Sequence, residues 1–103
     1  MKFKKNSKWN EINELECLLI LKKLEQKKFA YGLQKKLCEE LSKKSGLSVG
    51  SLSAKVSNYK SIANINNPSN ASQATREIYK KYKDYSVEQL NNLIKGLKCG
   101  LKN

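Results

Sequence analysis

Lys55 and Asn58 lie three residues apart in a stretch that runs from Gly46 to Tyr59 and also holds Ser48, Ser51 and Ala54. An ammonium can meet a phosphate oxygen, and a carboxamide can read a base edge. Ser48 stands where a helix would start, and free backbone N–H groups at such a start attract phosphate. Ser51 and Ala54 are small enough to let a backbone approach closely. Lys60 follows directly, and Lys35, Lys36, Lys43 and Lys44 precede the stretch in two pairs. This is binding chemistry, with no bond-making group among it. The chain contains no histidine, no phosphate loop and no carboxylate pair with an acid–base role. Cys17, Cys38 and Cys99 are far apart, without a Cys-x-x-Cys pair, so neither a disulfide framework nor a zinc site is expected. No metal, cofactor or catalytic residue is expected.

The elements that must hold these groups follow from local signals. Gly46 can take the left-handed conformation that ends a helix, and Ser48 can cap the next. Val49, Leu52, Val56 and Tyr59 then recur at steps of three and four, which defines one apolar helical face. Gly50, Ser51, Ala54 and Asn58 occupy the opposite face, with Lys55 on its flank. A preceding helix over 31–44 has Leu33, Leu37 and Leu41 inward and its lysine pairs outward. Together they predict a helix-turn-helix-like unit. Leu41, Gly46, Leu47 and Leu52 fit the common repressor pattern, whereas Lys55 falls where an apolar residue is usual. The same stretch also reads as a surface helix of an all-α domain without a ligand.

A first helix is expected over 11–26, capped by Asn10 and apolar on most of its circumference, hence central. Glu11, Glu14 and Glu16 read as a solvated acidic face, and 27–30 as a connection. Residues 60–70 read as a loop holding Pro68. A fourth helix, capped by Asn70 or Ser72, extends to about Lys83. A fifth follows the Ser86–Gln89 capping box to about Lys98, with Gly100 as terminator. The expected fold is therefore all-α, a small bundle of about five helices containing the helix-turn-helix-like unit. Residues 1–8 form a basic flexible arm, 9–99 a single helical domain and 100–103 a tail.

Charge narrows the partner. Lysine and arginine total 21 against nine acids in 103 residues, a formal charge of +12. Self-repulsion of that size is relieved by a polyanion, and nucleic acid is the expected partner. Arg76 is the lone arginine, so bidentate guanine reading has little to work with. Reduced cysteines fit the cytoplasm. The apolar run from Cys17 to Leu21 is too short for a membrane span or signal peptide, so no membrane partner is expected.

In chain order the residues trace a pattern. Trp9 precedes an acidic, leucine-rich helix. Gly46, Ser48, Gly50, Leu52, Lys55, Val56, Asn58 and Tyr59 follow. Asn70, Ala71 and Ser72 then lead to Glu77, Ile78, Tyr79 and Tyr82. This resembles the N-terminal module of bacterial HNH restriction-endonuclease-like proteins, over about Trp9 to Tyr85. The resemblance implies a helical module that helps a nuclease engage DNA, with double-stranded DNA as the partner. It does not bring nuclease activity, because HNH chemistry needs a histidine to activate water and hold metal. A position often basic in that family is Leu47 here. The leading expectation is a non-enzymatic DNA-binding protein. The alternatives are a phage or mobile-element protein–protein module that binds or inhibits a nucleic-acid-processing host enzyme, and a single-strand binder using Trp9, Tyr79, Tyr82 and Tyr85.

Overall fold

A computed structural model describes residues 9–64 and 71–101. The expected basic arm over 1–8, Pro68, the candidate cap Asn70 and the end of the tail lie outside the described residues. Five helices are present, α1 (Glu11–Gln26), α2 (Leu33–Ser45), α3 (Val49–Ile62), α4 (Gln73–Tyr82) and α5 (Val87–Leu101), and no strand occurs among the described residues. No described helix is long and apolar enough to cross a membrane.

The expected all-α bundle is the observed fold. Helix α1 is its axis, because it packs against each of the other four helices. Leu15, Leu18, Leu21 and Leu24 are fully enclosed on it, and Leu19 and Ile20 nearly so. An apolar circumference of this kind needs neighbours on several sides, and the chain supplies them. Leu52, Val56 and Tyr59 of α3, Ile78 and Tyr82 of α4, and Leu90 and Ile94 of α5 complete the core. Helix α3 packs on α1, α2 and α4, whereas α5 rests on α1 alone.

Side-chain caps set the helix starts. Asn10 accepts from the Asn13 N–H at 2.8 Å, Ser48 from Ser51 at 3.1 Å and Ser72 from Thr75 at 3.2 Å. At α5, Ser86 Oγ accepts from the Gln89 N–H while Gln89 Oε1 accepts from the Ser86 N–H, a reciprocal capping box. Between α2 and α3, Gly46 takes φ +78° and its N–H returns to the Ser42 carbonyl. Leu47, next to it, is buried. A cation there would lose its water, which is why the position is apolar in this chain.

Three boundaries differ from the sequence expectation. Helix α3 continues to Ile62, so Lys60 to Ile62 are helical and not loop. Helix α2 begins only at Leu33, leaving Tyr31 outside it. Gly100 lies within α5 and does not terminate it.

The α1 C-terminus explains the displaced start of α2. Lys28 N–H bonds the Glu25 carbonyl at 3.1 Å and Phe29 N–H bonds the Leu24 carbonyl at 2.7 Å. These are the two bonds of a Schellman closure, which places Lys28 where glycine is usual. Lys28 and Phe29 both adopt positive φ, 51° and 55°. For residues with a Cβ this conformation costs about 1–2 kcal/mol each. Replacing Lys28 by glycine relieves that strain at an exposed position. Lys28→Gly is expected to stabilise the fold by roughly 0.5–1 kcal/mol in chemical denaturation, with an unchanged denaturant slope.

Candidate nucleic-acid interface

Glu14 is 1% exposed in the first turns of α1. It is not part of a solvated acidic face, which corrects the reading of Glu11, Glu14 and Glu16 as one. An ionised carboxylate at such depth requires donors on every side. Tyr59 Oη of α3 donates to its Oε1 at 2.7 Å, and Thr75 Oγ1 of α4 donates to the same oxygen at 3.0 Å. Lys55 Nζ of α3 pairs with Oε2 at 3.1 Å and also donates to Thr75 Oγ1 at 3.0 Å. The Trp9 ring closes the outer side, its centroid 4.5 Å from the ammonium. No buried side-chain nitrogen or oxygen among the described residues lacks a partner.

Helical spacing builds this cluster. Lys55 and Tyr59 are four residues apart and therefore stacked on one side of α3. Thr75 is the third residue after its cap Ser72, so the helix start that fixes Ser72 also fixes Thr75. The Lys55 ammonium thus points into the bundle, its side chain 13% exposed. It is committed to Glu14 and does not extend towards a groove.

Lys60 is held in a second cluster. Its ammonium donates to Gln34 Oε1, and it lies 5.5 Å from the Phe29 ring centroid. Gln34 Nε2 in turn donates to Ser53 Oγ at 2.9 Å, which ties α2 to α3. Both cations of α3 are therefore turned towards neighbouring helices. The outward side of α3 is left with Gly50, Ser51 and Ala54, all exposed, and half-buried Asn58. Ser48 is exposed, and its hydroxyl donates to Ser51 Oγ at 2.9 Å while capping the helix.

The remaining candidate lysines sit on α2. Lys35, Lys36, Lys43 and Lys44 are exposed. The two ion pairs among the described residues are Glu14–Lys55 and Glu16–Lys98, so none of the four is engaged with an acid. They do not form one row. Lys44 borders a shallow groove between α1 and α2, with Glu16, Lys23 and Glu40. Lys35 follows Gln34, which bonds across to α3, while Lys36 and Lys43 lie a full two turns apart along the outer side.

The aromatic residues divide differently from expectation. Tyr82 is buried, Tyr79 and Trp9 are half-buried, and Tyr85 packs edge-on against Tyr82 at 5.0 Å. Tyr82, Tyr79 and Trp9 serve the core, whereas Tyr85 stays 37% exposed. The fully exposed ring is Tyr31, beside partly exposed Phe29, in the connection between α1 and α2. Sequence reading passed over both, and also over Glu14 and Thr75. A signal for Glu14 was available: an acid on a helix that is apolar nearly all round has no solvated side to occupy.

No family model, curated protein or solved structure matches the chain.

The carboxylate cluster generates two expectations. Removing one member of a buried pair leaves the other charge uncompensated, a loss of about 3–5 kcal/mol. Glu14→Ala and Lys55→Ala should each destabilise by that much in urea titrations, and the double variant by clearly less than the sum. Tyr59 gives a pH signature. Burial first, then the adjacent Glu14 carboxylate, raises its pKa above the ordinary 10.0. The folded chain keeps that proton while the unfolded chain releases it, so this stabilisation is complete below pH 10.0 and declines as pH rises beyond it. Tyr59→Phe should cost about 1–2 kcal/mol at neutral pH and make alkaline unfolding shallower, measured by circular dichroism across pH 8–12.

Proposed function

We propose that the chain is a non-enzymatic DNA-binding protein that holds duplex phosphates with the lysines of α2. The observation that carries this reading is the set of exposed ammonium groups of Lys35, Lys36, Lys43 and Lys44, none of them in an ion pair although Glu39 and Glu40 share their helix, next to an α3 whose outward side is small and uncharged. A helix face of Gly50, Ser51 and Ala54 can approach a duplex without steric obstruction. Ser48, at the start of α3, adds a helix N-terminus to that side. The net charge of +12 supports the same reading, and so does the resemblance to the N-terminal module of HNH restriction-endonuclease-like proteins. In this proposal the unit formed by α2, the Gly46 turn and α3 acts as a helix-turn-helix-like element. Three free cysteines suit a reducing cytoplasm.

The mechanism is electrostatic. Lysine ammonium groups displace condensed counterions from the phosphates, and affinity falls as salt rises. Lys55 and Lys60 contribute to this only indirectly, by setting the pose of α3. Base reading is left to Ser51 and Asn58, two short side chains, so sequence discrimination is expected to be weak.

With four lysines engaged, log K for a short blunt duplex should fall with log[salt] at a slope of roughly −3.6 in fluorescence anisotropy. The variant with Lys35, Lys36, Lys43 and Lys44 all changed to Gln should fold normally and lose most of that slope. A duplex affinity indifferent to salt, or a slope unchanged in the variant, sinks the proposal.

A further inference from the structure

The connection between α1 and α2 is the least expected part of the surface. Tyr31 is 106% exposed there, and Phe29 is 40% exposed beside it. Nothing in the described chain covers the Tyr31 ring. Its backbone is nonetheless tightly specified. Lys27, Lys28, Phe29 and Ala30 each donate their N–H to a carbonyl between Lys23 and Lys27, and Leu33 bonds back to Ala30. The ring is thus presented on a fixed turn, and the turn is built with Lys28 and Phe29 at positive φ.

The charge around it is of one sign. Lys27, Lys28, Lys35 and Lys36 fall in the stretch between Glu25 and Glu39, which contains no acid. Lys60 reaches the same place from α3, 5.5 Å from the Phe29 centroid. Tyrosine is common at the centre of protein interfaces but lysine is depleted there, so the lysines around this ring favour a polyanion over a protein surface. Paired bases inside a duplex present no free ring face to it either. An unpaired base does, and its phosphates match the lysines.

From this we infer that the α1–α2 connection is a stacking site for an unpaired base of a single-stranded nucleic acid, with Tyr31 as the platform and Lys27 and Lys28 as phosphate contacts. Phe29, two residues before Tyr31, has the Lys60 ammonium 5.5 Å from its ring centroid. Its named contacts, Tyr31, Lys27 and Lys28, set this site apart: they include none of the four α2 lysines of the duplex proposal, although Lys35 and Lys36 lie close by in the chain.

The test measures anisotropy of labelled oligothymidine, oligouridine and a blunt duplex of two separate strands at one fixed salt concentration. Wild type, Tyr31→Ala and Tyr31→Phe are compared, with thermal melts to confirm the fold. Tyr31→Ala should weaken single-strand binding on the order of tenfold or more, and Tyr31→Phe should retain it, because stacking needs the ring and not the hydroxyl. The duplex affinity should not change between the three. The thymidine and uridine arms show which kind of strand is preferred. Single-strand affinity that is absent in wild type, or equal in Tyr31→Ala, overturns the inference. Absence of duplex binding in wild type, with the strand effects intact, overturns only the duplex proposal.

Discussion

One carboxylate imposes more order on this bundle than any apolar contact. Burial of the leucines is non-directional and asks for shape but for no partner at a defined angle. Glu14 asks for more, because it is enclosed and each oxygen needs a donor at a defined angle. Tyr59, Thr75 and Lys55 reach it together only when α3 and α4 stand at one height against α1. Matched apolar groups could fill the same space with equal or greater stability. The directional bonds of the cluster fix the heights of α3 and α4 against α1 at this point.

The same cluster accounts for residues far apart in the chain. Trp9 precedes α1 and lies over the Lys55 ammonium, where it keeps water from the pair. Ser72 caps α4 and bonds Thr75 Oγ1 at 2.9 Å, which orients the hydroxyl that Glu14 uses. Tyr59 is the largest enclosed side chain and still spends its polar tip on Glu14. Trp9, Lys55 and Tyr59 all belong to the pattern that suggested a DNA-engaging module. Their positions show what the spacing of that pattern does in this chain: it assembles the interior.

The fold was legible because its signals are local. Asn10, Ser48 and the Ser86–Gln89 box each act within one helical turn and stand where sequence placed them, and Ser72 is the one of its two candidate caps, Asn70 or Ser72, that holds α4. The apolar stripe of α3 likewise faces the core. The misreadings share a different cause. Glu14 looked solvated because its partners lie 41, 45 and 61 residues away, and no local rule reports a partner at that distance. Lys55 looked outward for the same reason. Tyr31 looked helical because glycine at position 32 was not recognised as a start, and Lys28 carries a conformation that sequence assigns to glycine. Long-range charge pairing and non-glycine residues at positive φ are both invisible to periodicity.

Lysine is so abundant here that its identity says little about its use; its neighbours decide. On α3, Lys55 and Lys60 each sit by an aromatic ring, Trp9 or Phe29, and each is bonded to an acceptor on another helix. That arrangement removes charge from the outward side of α3. Exposed cations are found instead on the elements beside it: α4 carries Arg76, Lys80 and Lys81, and the continuous piece of chain from Lys27 to Lys44 carries six lysines with Glu39 and Glu40 as its acids. That piece is a turn followed by a helix, and not the face of a single helix. Its turn is held by five backbone hydrogen bonds and its helix by the core behind Cys38 and Leu41, so its cations stand on a backbone of defined shape.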